Sequence, residues 1–173
     1  MPWTLPFAGG ETAFLDSMAL RAAILWVHVL CGVVWVGASA SFALAAAALT
    51  TESEEWRDFA LKAAPTVNRV NLVVAAIIPL TGIGNLVFAA MARRYVFPPE
   101  FVGILAVKIA LYVTMVLVLV WAWRAEAAMR QGWERNDSVA AANKIRRLTR
   151  LYGFTVALGV VALALGLWLS GVN

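Results

Sequence analysis

Histidine, cysteine and charge are all scarce in this 173-residue chain. The sequence holds one histidine, His28, and one cysteine, Cys31, and 14% of its residues are charged. A single cysteine excludes an intrachain disulfide and a cysteine-based metal cluster. Soluble domains carry about 25% charged residues, so the low charge, with 62% hydrophobic residues, indicates an integral membrane protein. The net charge of +4 is then attributed to basic loops rather than to nucleic-acid binding.

Four apolar stretches are long enough to cross a bilayer as helices, each of which needs about 20 residues. They cover residues of about 22–47, 70–92, 102–123 and 151–171. The alternating segments of about ten residues that are typical of a membrane β-barrel are missing. We therefore predict an all-α, polytopic four-helix bundle, formed by residues 1–173 as a single membrane domain. We expect Pro79 to kink the second helix.

The segments that flank the first two spans have features of their own. Residues 52–68 are charged, yet Trp56, Phe59 and Ala60 follow helical spacing. This segment is predicted to extend the second helix or to lie on the membrane surface. Residues 1–20 contain no Lys or Arg, which argues against a signal peptide and predicts Trp3 and Phe7 near the lipid headgroups.

The basic residues are distributed unequally between the two sides of the predicted bundle. Ten lie in or beside the first and third loops, whereas Arg21, Arg93 and Arg94 lie on the other side. We expect a multi-pass protein of the cell's inner (plasma) membrane. The positive-inside rule predicts that its first and third loops face the cytoplasm and both termini lie outside, in the periplasm if the cell is a bacterium. The expected partners are the lipid bilayer and either a redox partner or other membrane subunits. A homo-oligomer is also allowed, and nucleic acid is not expected.

Three polar side chains fall inside the apolar stretches at a similar depth. His28 and Lys108 are each predicted about 10 Å inside the outer face, and Asn85 about 12 Å. The predicted spans contain no Asp or Glu, so Lys108 has no carboxylate partner within them. Ionisable residues inside a membrane are costly and mark functional sites. Because imidazole and a neutral amine both donate nitrogen to iron, His28 and Lys108 are predicted metal ligands, as an axial pair for a haem.

Other residues complete the predicted haem site. The cofactor-binding set adds five residues to the ligand pair: Gly32, Trp35, Asn85, Arg93 and Arg94. Gly32 and Trp35 share a helical face with His28, where the glycine leaves room and the indole can form a wall. The two arginines lie near the outer surface, where the propionates of a porphyrin would emerge.

Each candidate also has a structural interpretation. His28 can hydrogen-bond to Asn85 or to a backbone carbonyl and bind no cofactor. Lys108 can extend to water or to Glu100. Asn85 and Gly32 can serve helix packing. Arg93 and Arg94 can be ordinary residues that flank a membrane span. The residue pattern alone leaves both interpretations open.

Three segments together resemble a known family. The stretch LWVHVLCGVVWVG (residues 25–37) resembles the first helix of the HemJ-type protoporphyrinogen oxidases and of the related CopD-like membrane domains. The shared pattern is an aromatic residue two before the histidine, and a tryptophan seven after it. LAVKIALYVTMVLVLVWAW (residues 105–123) is similar to their third helix, and PTVNRVNLVVAAIIPLTGIGNL (residues 65–86) to their second. The resemblance covers residues of about 22–169.

The resemblance implies a haem b protein with His28 and Lys108 as axial ligands. Its activity would be electron transfer or protoporphyrinogen-type oxidation, and whether the chain is an enzyme stays open. Trp121 and Trp123 stand where HemJ-type proteins carry histidine, and RRLTRLYGF lacks their acidic motif before the fourth helix. The CopD-like relatives imply copper transport or resistance as an alternative. A non-catalytic subunit of a larger membrane complex is the third hypothesis.

Overall fold

The computed structural model describes residues 8–49, 53–135 and 137–171, and these residues form four long helices. The helices are α1 (Ala8–Ala48), α2 (Glu54–Ala92), α3 (Pro99–Glu134) and α4 (Ser138–Gly171). Each contains a segment long and apolar enough to cross a membrane. The predicted all-α four-helix membrane bundle is therefore confirmed. Trp3 and Phe7, predicted at the headgroups, lie outside the described residues.

The four helices form a ring in which chain neighbours pack side by side. Helix α1 packs against α2 and α4, and α3 packs against the same two helices. Helices α1 and α3 therefore lie diagonally across the bundle. Short connections between successive helices favour this antiparallel arrangement. We call the end with the α1–α2 and α3–α4 connections the basic end, because ten of the Lys and Arg residues lie there.

The helices are longer than the predicted spans. Helix α2 begins at Glu54, which confirms that residues 52–68 mostly extend the second helix, and α3 continues past residue 123 to Glu134. At 1.5 Å per residue the helices measure about 50–60 Å, whereas the hydrocarbon layer is about 30 Å thick. Ser53 caps α2 by accepting a hydrogen bond from the backbone N–H of Trp56, at 3.1 Å. Pro79 lies inside the continuous α2.

Two cores fill the interior. The basic-end core draws on all four helices and combines large side chains such as Phe42 and Tyr152 with small ones such as Ala60 and Ala122. The central core consists of six buried residues: Cys31, Trp35, Val74, Ala75, Met115 and Leu119. The alanines of the basic-end core let the helix backbones approach closely. This packing accounts for the helices continuing beyond the apolar layer.

The outward faces of the helices are apolar along their middle sections. Leu30 is 54% exposed, Leu80 70% and Leu117 51%. A water-soluble protein rarely exposes so continuous an apolar surface. These faces indicate contact with the lipid bilayer, as predicted.

Candidate functional site

His28 forms a hydrogen bond to the neighbouring helix α2. Its Nδ1 lies 2.9 Å from the Thr81 hydroxyl oxygen. That hydroxyl is itself 3.0 Å from the Ile77 carbonyl and 3.1 Å from the Ile78 carbonyl, so its one hydrogen is donated back to the helix. We infer from this arrangement that the Thr81 oxygen accepts from the Nδ1–H of His28. In this tautomer Nε2 carries the free lone pair that can bind a metal.

A glycine allows the imidazole to approach α2 closely. A Cβ atom on Gly82 would lie 3.3 Å from Cε1 of His28. The ring also interacts with the Ile78 backbone carbonyl, which can only accept a hydrogen bond. Helix α2 thus supplies both the space for the ring and the acceptors for its proton.

The register between α1 and α2 places Asn85 away from His28. Gly84 lies against Ile24, one turn before His28, whereas Gly82 lies against His28 itself. Asn85 follows Gly84 and is half-buried. The observed hydrogen-bond partner of His28 is Thr81 rather than Asn85. The predicted depths were counted from the charged flanks of each helix, and such counts do not fix the offset between two helices.

Lys108 reaches toward α4 from the diagonal helix α3. Its side chain is half-buried, and Nζ lies 3.2 Å from the position of a Cβ on Gly166. A Cβ atom on Gly32, one turn after His28 on α1, would contact Leu163, which lies three residues before Gly166 on α4. The two predicted ligands, on diagonal helices, are therefore brought into one region of the bundle. Gly166 is the second glycine that accommodates a predicted ligand.

Trp35 and Gly32 lie toward the centre of the bundle, on the inward face of α1. Trp35 is 1% exposed and meets Tyr112 edge-on, with 6.2 Å between ring centroids. The Tyr112 hydroxyl donates to the Ala75 carbonyl at 2.8 Å. A Cβ atom on Gly32 would lie 3.8 Å from Cδ2 of Leu163 on α4, which is an ordinary contact distance. The predicted wall is thus part of the central core, beside the region of His28 and Lys108.

Arg93 and Arg94 form the turn that ends α2. The Arg93 guanidinium stacks over the Phe101 ring at 4.6 Å from its centroid. Arg94 and Tyr95 have φ angles of 49° and 64°, a left-handed conformation that non-glycine residues seldom adopt. Arg94 is exposed. The stacking on Phe101 holds Arg93 beside α3, the helix that carries Lys108.

A larger metal cluster is not found among the described residues. No group of three or more His, Cys, Asp and Glu side chains there is placed to hold a metal ion. Cys31 is a free, buried thiol in the central core. The metal-ligand prediction therefore depends on His28 and Lys108 as a pair of nitrogen donors.

A buried polar network at the basic end was missed by the sequence prediction. Asn68 is fully buried on α2 and donates through Nδ2 to Oε2 of Glu126 on α3, at 2.6 Å. Its Oδ1 accepts from the Tyr152 hydroxyl of α4, at 2.8 Å. Arg130 donates to the other oxygen of Glu126, at 3.1 Å. We call Asn68, Glu126 and Tyr152 the buried triad.

The triad was missed because the third span was predicted to end at residue 123, which left Glu126 in a loop. The helix continues, and Glu126 is only 6% exposed. One signal was available in the sequence. Ala122, Ala125, Glu126 and Met129 follow helical spacing and predict that Glu126 shares an inward face.

No protein-family model, curated protein or solved structure matches this chain. The resemblance to HemJ-type and CopD-like proteins therefore stays a hypothesis that rests on the residues quoted above.

Proposed function

We propose that this chain is a haem b-binding membrane protein of the HemJ/CopD-like type, acting in electron transfer or porphyrin oxidation. The observation that carries the proposal is the 2.9 Å contact between Nδ1 of His28 and the Thr81 hydroxyl oxygen. When Nδ1–H is donated to that oxygen, Nε2 keeps the lone pair that can bind iron, in a half-buried position. Metal-binding histidines commonly use one ring nitrogen for the metal and donate the other N–H to a fixed acceptor.

The donor chemistry of the region fits a haem. His28 and Lys108 would hold the iron through two nitrogen donors, one from each of two diagonal helices. Bound haem would supply reversible one-electron transfer. Thr81 and Ile78 hold the imidazole proton, and Gly166 leaves room for the lysine amine.

We further propose that the basic end faces the cytoplasm of a cell with the chain in its inner membrane. Ten Lys and Arg residues at that end, against three at the opposite end, support this orientation. The haem would then lie in the outer half of the membrane, and both termini outside. A membrane or periplasmic electron donor or acceptor would be the redox partner.

The test is a visible absorption spectrum of the detergent-purified full chain from haem-replete cells, oxidised and then reduced with dithionite. We expect a sharp Soret band and, on reduction, separate α and β bands of a six-coordinate b-type haem. A featureless spectrum contradicts the proposal. Copper retained in place of haem would instead favour copper transport. A protein that retains neither haem nor copper would favour the non-catalytic subunit.

Substitution identifies the ligand. In His28→Ala we expect at least a tenfold loss of the Soret band at equal protein, because the axial imidazole is removed. Gly37→Ala is the matched control on α1, since nothing lies within 4 Å of its Cβ position. An unchanged haem spectrum in His28→Ala would show that another residue binds the iron.

A further inference from the structure

A basic cavity lies between α3 and α4, on the part of the bundle remote from His28. Its volume is about 210 Å³. Six residues line it: Trp121, Arg124, Ala125, Ala128, Lys144 and Arg147. Three of them are cationic, and the lining contains no acidic residue. Such a cavity attracts an anion.

The lining follows from helical spacing on two adjacent helices. Trp121, Arg124 and Ala128 recur at intervals of three and four residues on α3, so they share one face. Lys144 and Arg147 are three residues apart on α4 and face the same space. The two small alanines leave the floor open. The cavity is therefore produced by the regular geometry of two helices rather than by a loop.

The cavity lies at the point along α3 and α4 where the sequence predicts the lipid headgroups. Arg124 follows directly after the apolar run of α3, and Arg147 precedes that of α4 by one turn. Trp121 is 48% exposed, as is typical of the aromatic belt at a membrane surface. The headgroup layer is about 5–7 Å thick on each side, which matches this position.

An exposed apolar surface continues from the cavity toward the middle of the membrane. Leu117 is 51% exposed, Val120 41% and Phe154 50%, on the same two helices. A free phosphate would use only the cations, whereas a phospholipid would also cover these side chains with its acyl chains. The combination favours a lipid.

We propose that this cavity binds the phosphate headgroup of an anionic phospholipid from the leaflet at the basic end. Arg124 and Arg147 would hold the phosphate oxygens through their planar guanidinium groups, and Lys144 would add a third positive charge. The proposal is independent of haem binding, because none of these residues contacts the His28 region.

The test is native mass spectrometry of the full chain in mild detergent, titrated with phosphatidylglycerol, cardiolipin, phosphatidylcholine or inorganic phosphate. We expect anionic lipid to bind at least tenfold more tightly than phosphatidylcholine, and inorganic phosphate not to compete at equal concentration. Equal binding of phosphatidylcholine, or of inorganic phosphate alone, overturns the proposal.

Substitutions locate the site. Each neutralised cation should weaken anionic-lipid binding about fivefold, so Arg124→Gln/Lys144→Gln/Arg147→Gln should lose the preference. The matched control, Lys62→Gln/Arg69→Gln/Arg135→Gln, removes the same charge at exposed positions outside the lining and should keep it. Equal loss in both variants would show a non-specific charge effect and overturn the site.

Two further variants test the site even if the triple variant does not fold. Ala128→Leu fills the floor of the cavity and keeps every charge, so binding should fall. Arg124→Lys/Arg147→Lys keeps the charge and should keep most of the binding. Unchanged binding in Ala128→Leu, or complete loss in the double lysine variant of a folded protein, contradicts the proposal.

Discussion

At the residue scale, Thr81 decides which nitrogen of His28 is available. A neutral histidine has two tautomers, and the hydrogen bond made by one ring nitrogen determines which of them is present. Here the threonine hydroxyl gives its own hydrogen to the helix backbone and turns its oxygen into an acceptor. Thr81 of α2 thereby determines which ring nitrogen of His28 on α1 is free to bind a metal.

Replacing this acceptor should weaken haem retention. In Thr81→Val the imidazole keeps its packing but loses the acceptor for Nδ1–H, so we expect haem affinity to fall about 10-fold to 100-fold. Thr81→Ser should restore most of it. The measurement is the rate of haem transfer to excess apomyoglobin, together with the midpoint potential.

Thr114→Val is the control for that substitution, because Thr114 makes a similar hydrogen bond to the α3 backbone at an exposed position. A wild-type protein without haem contradicts the proposed function itself. A haem-bound wild type with an unchanged Thr81→Val variant contradicts only the role of Thr81.

The sequence predicts the candidate ligands more readily than the residues that position them. His28 and Lys108 are conspicuous because their side chains are costly in hydrocarbon. Thr81, Gly82 and Gly166 are small residues that are common in membrane helices, so their composition carries no signal. Their roles depend on the offset between helices, which follows from packing along the whole interface.

At the element scale, α1 and α4 are held together by a close contact at Gly159. A Cβ atom there would overlap Cγ2 of Val36 and lie 3.7 Å from Cε of Met115. Gly153, on the same helix, has nothing within 4 Å of its Cβ position. The two glycines therefore have different functions although they lie less than two turns apart.

Alanine substitution should separate these two roles. We expect Gly159→Ala to destabilise the bundle by about 1–3 kcal/mol, because the methyl group forces α1 and α4 apart. Gly153→Ala should be neutral or stabilising by up to about 1 kcal/mol, since alanine favours the helix. Thermal unfolding in detergent measures both. Similar unfolding temperatures for the two variants would contradict the packing at Val36.

Hydropathy predicted the four helices and three of their C-terminal ends, but not the extensions at the basic end. The predicted boundaries near 47, 92 and 171 fall within one residue of the observed helix ends. At the basic end α2, α3 and α4 continue well beyond the predicted spans. Hydropathy detects the lipid-facing surface, whereas the extensions are stabilised by an inward face of residues such as Trp56, Met129 and Ile145.

At the scale of the whole molecule, the uneven charge gives the bundle a direction. Glu134 is exposed at the basic end and Glu100 is exposed at the opposite end. With Cys31 replaced by serine, a cysteine at either position is the single thiol of the chain. Whether the cysteine at each position can be labelled from outside the cell shows which end of the bundle faces the cytoplasm.

Labelling with a membrane-impermeant maleimide tests the orientation. In intact spheroplasts we expect Glu100→Cys to react and Glu134→Cys to react only after permeabilisation, because positive charge is retained in the cytoplasm. The reverse pattern would place the basic end outside. Cys31→Ser without an added cysteine is the control for background labelling.

The buried triad also has a consequence for biogenesis. Its three members come from α2, α3 and α4, and the polypeptide emerges from the ribosome in that order. Asn68 can pair with Glu126 once α3 has been synthesised, but it gains its second partner only with Tyr152 of α4. In a chain interrupted before α4, Glu126 would keep its partners on α2 and α3, whereas Oδ1 of Asn68 would lack its hydrogen-bond donor between the helices. The last helix thus completes the polar pairing as well as the bundle.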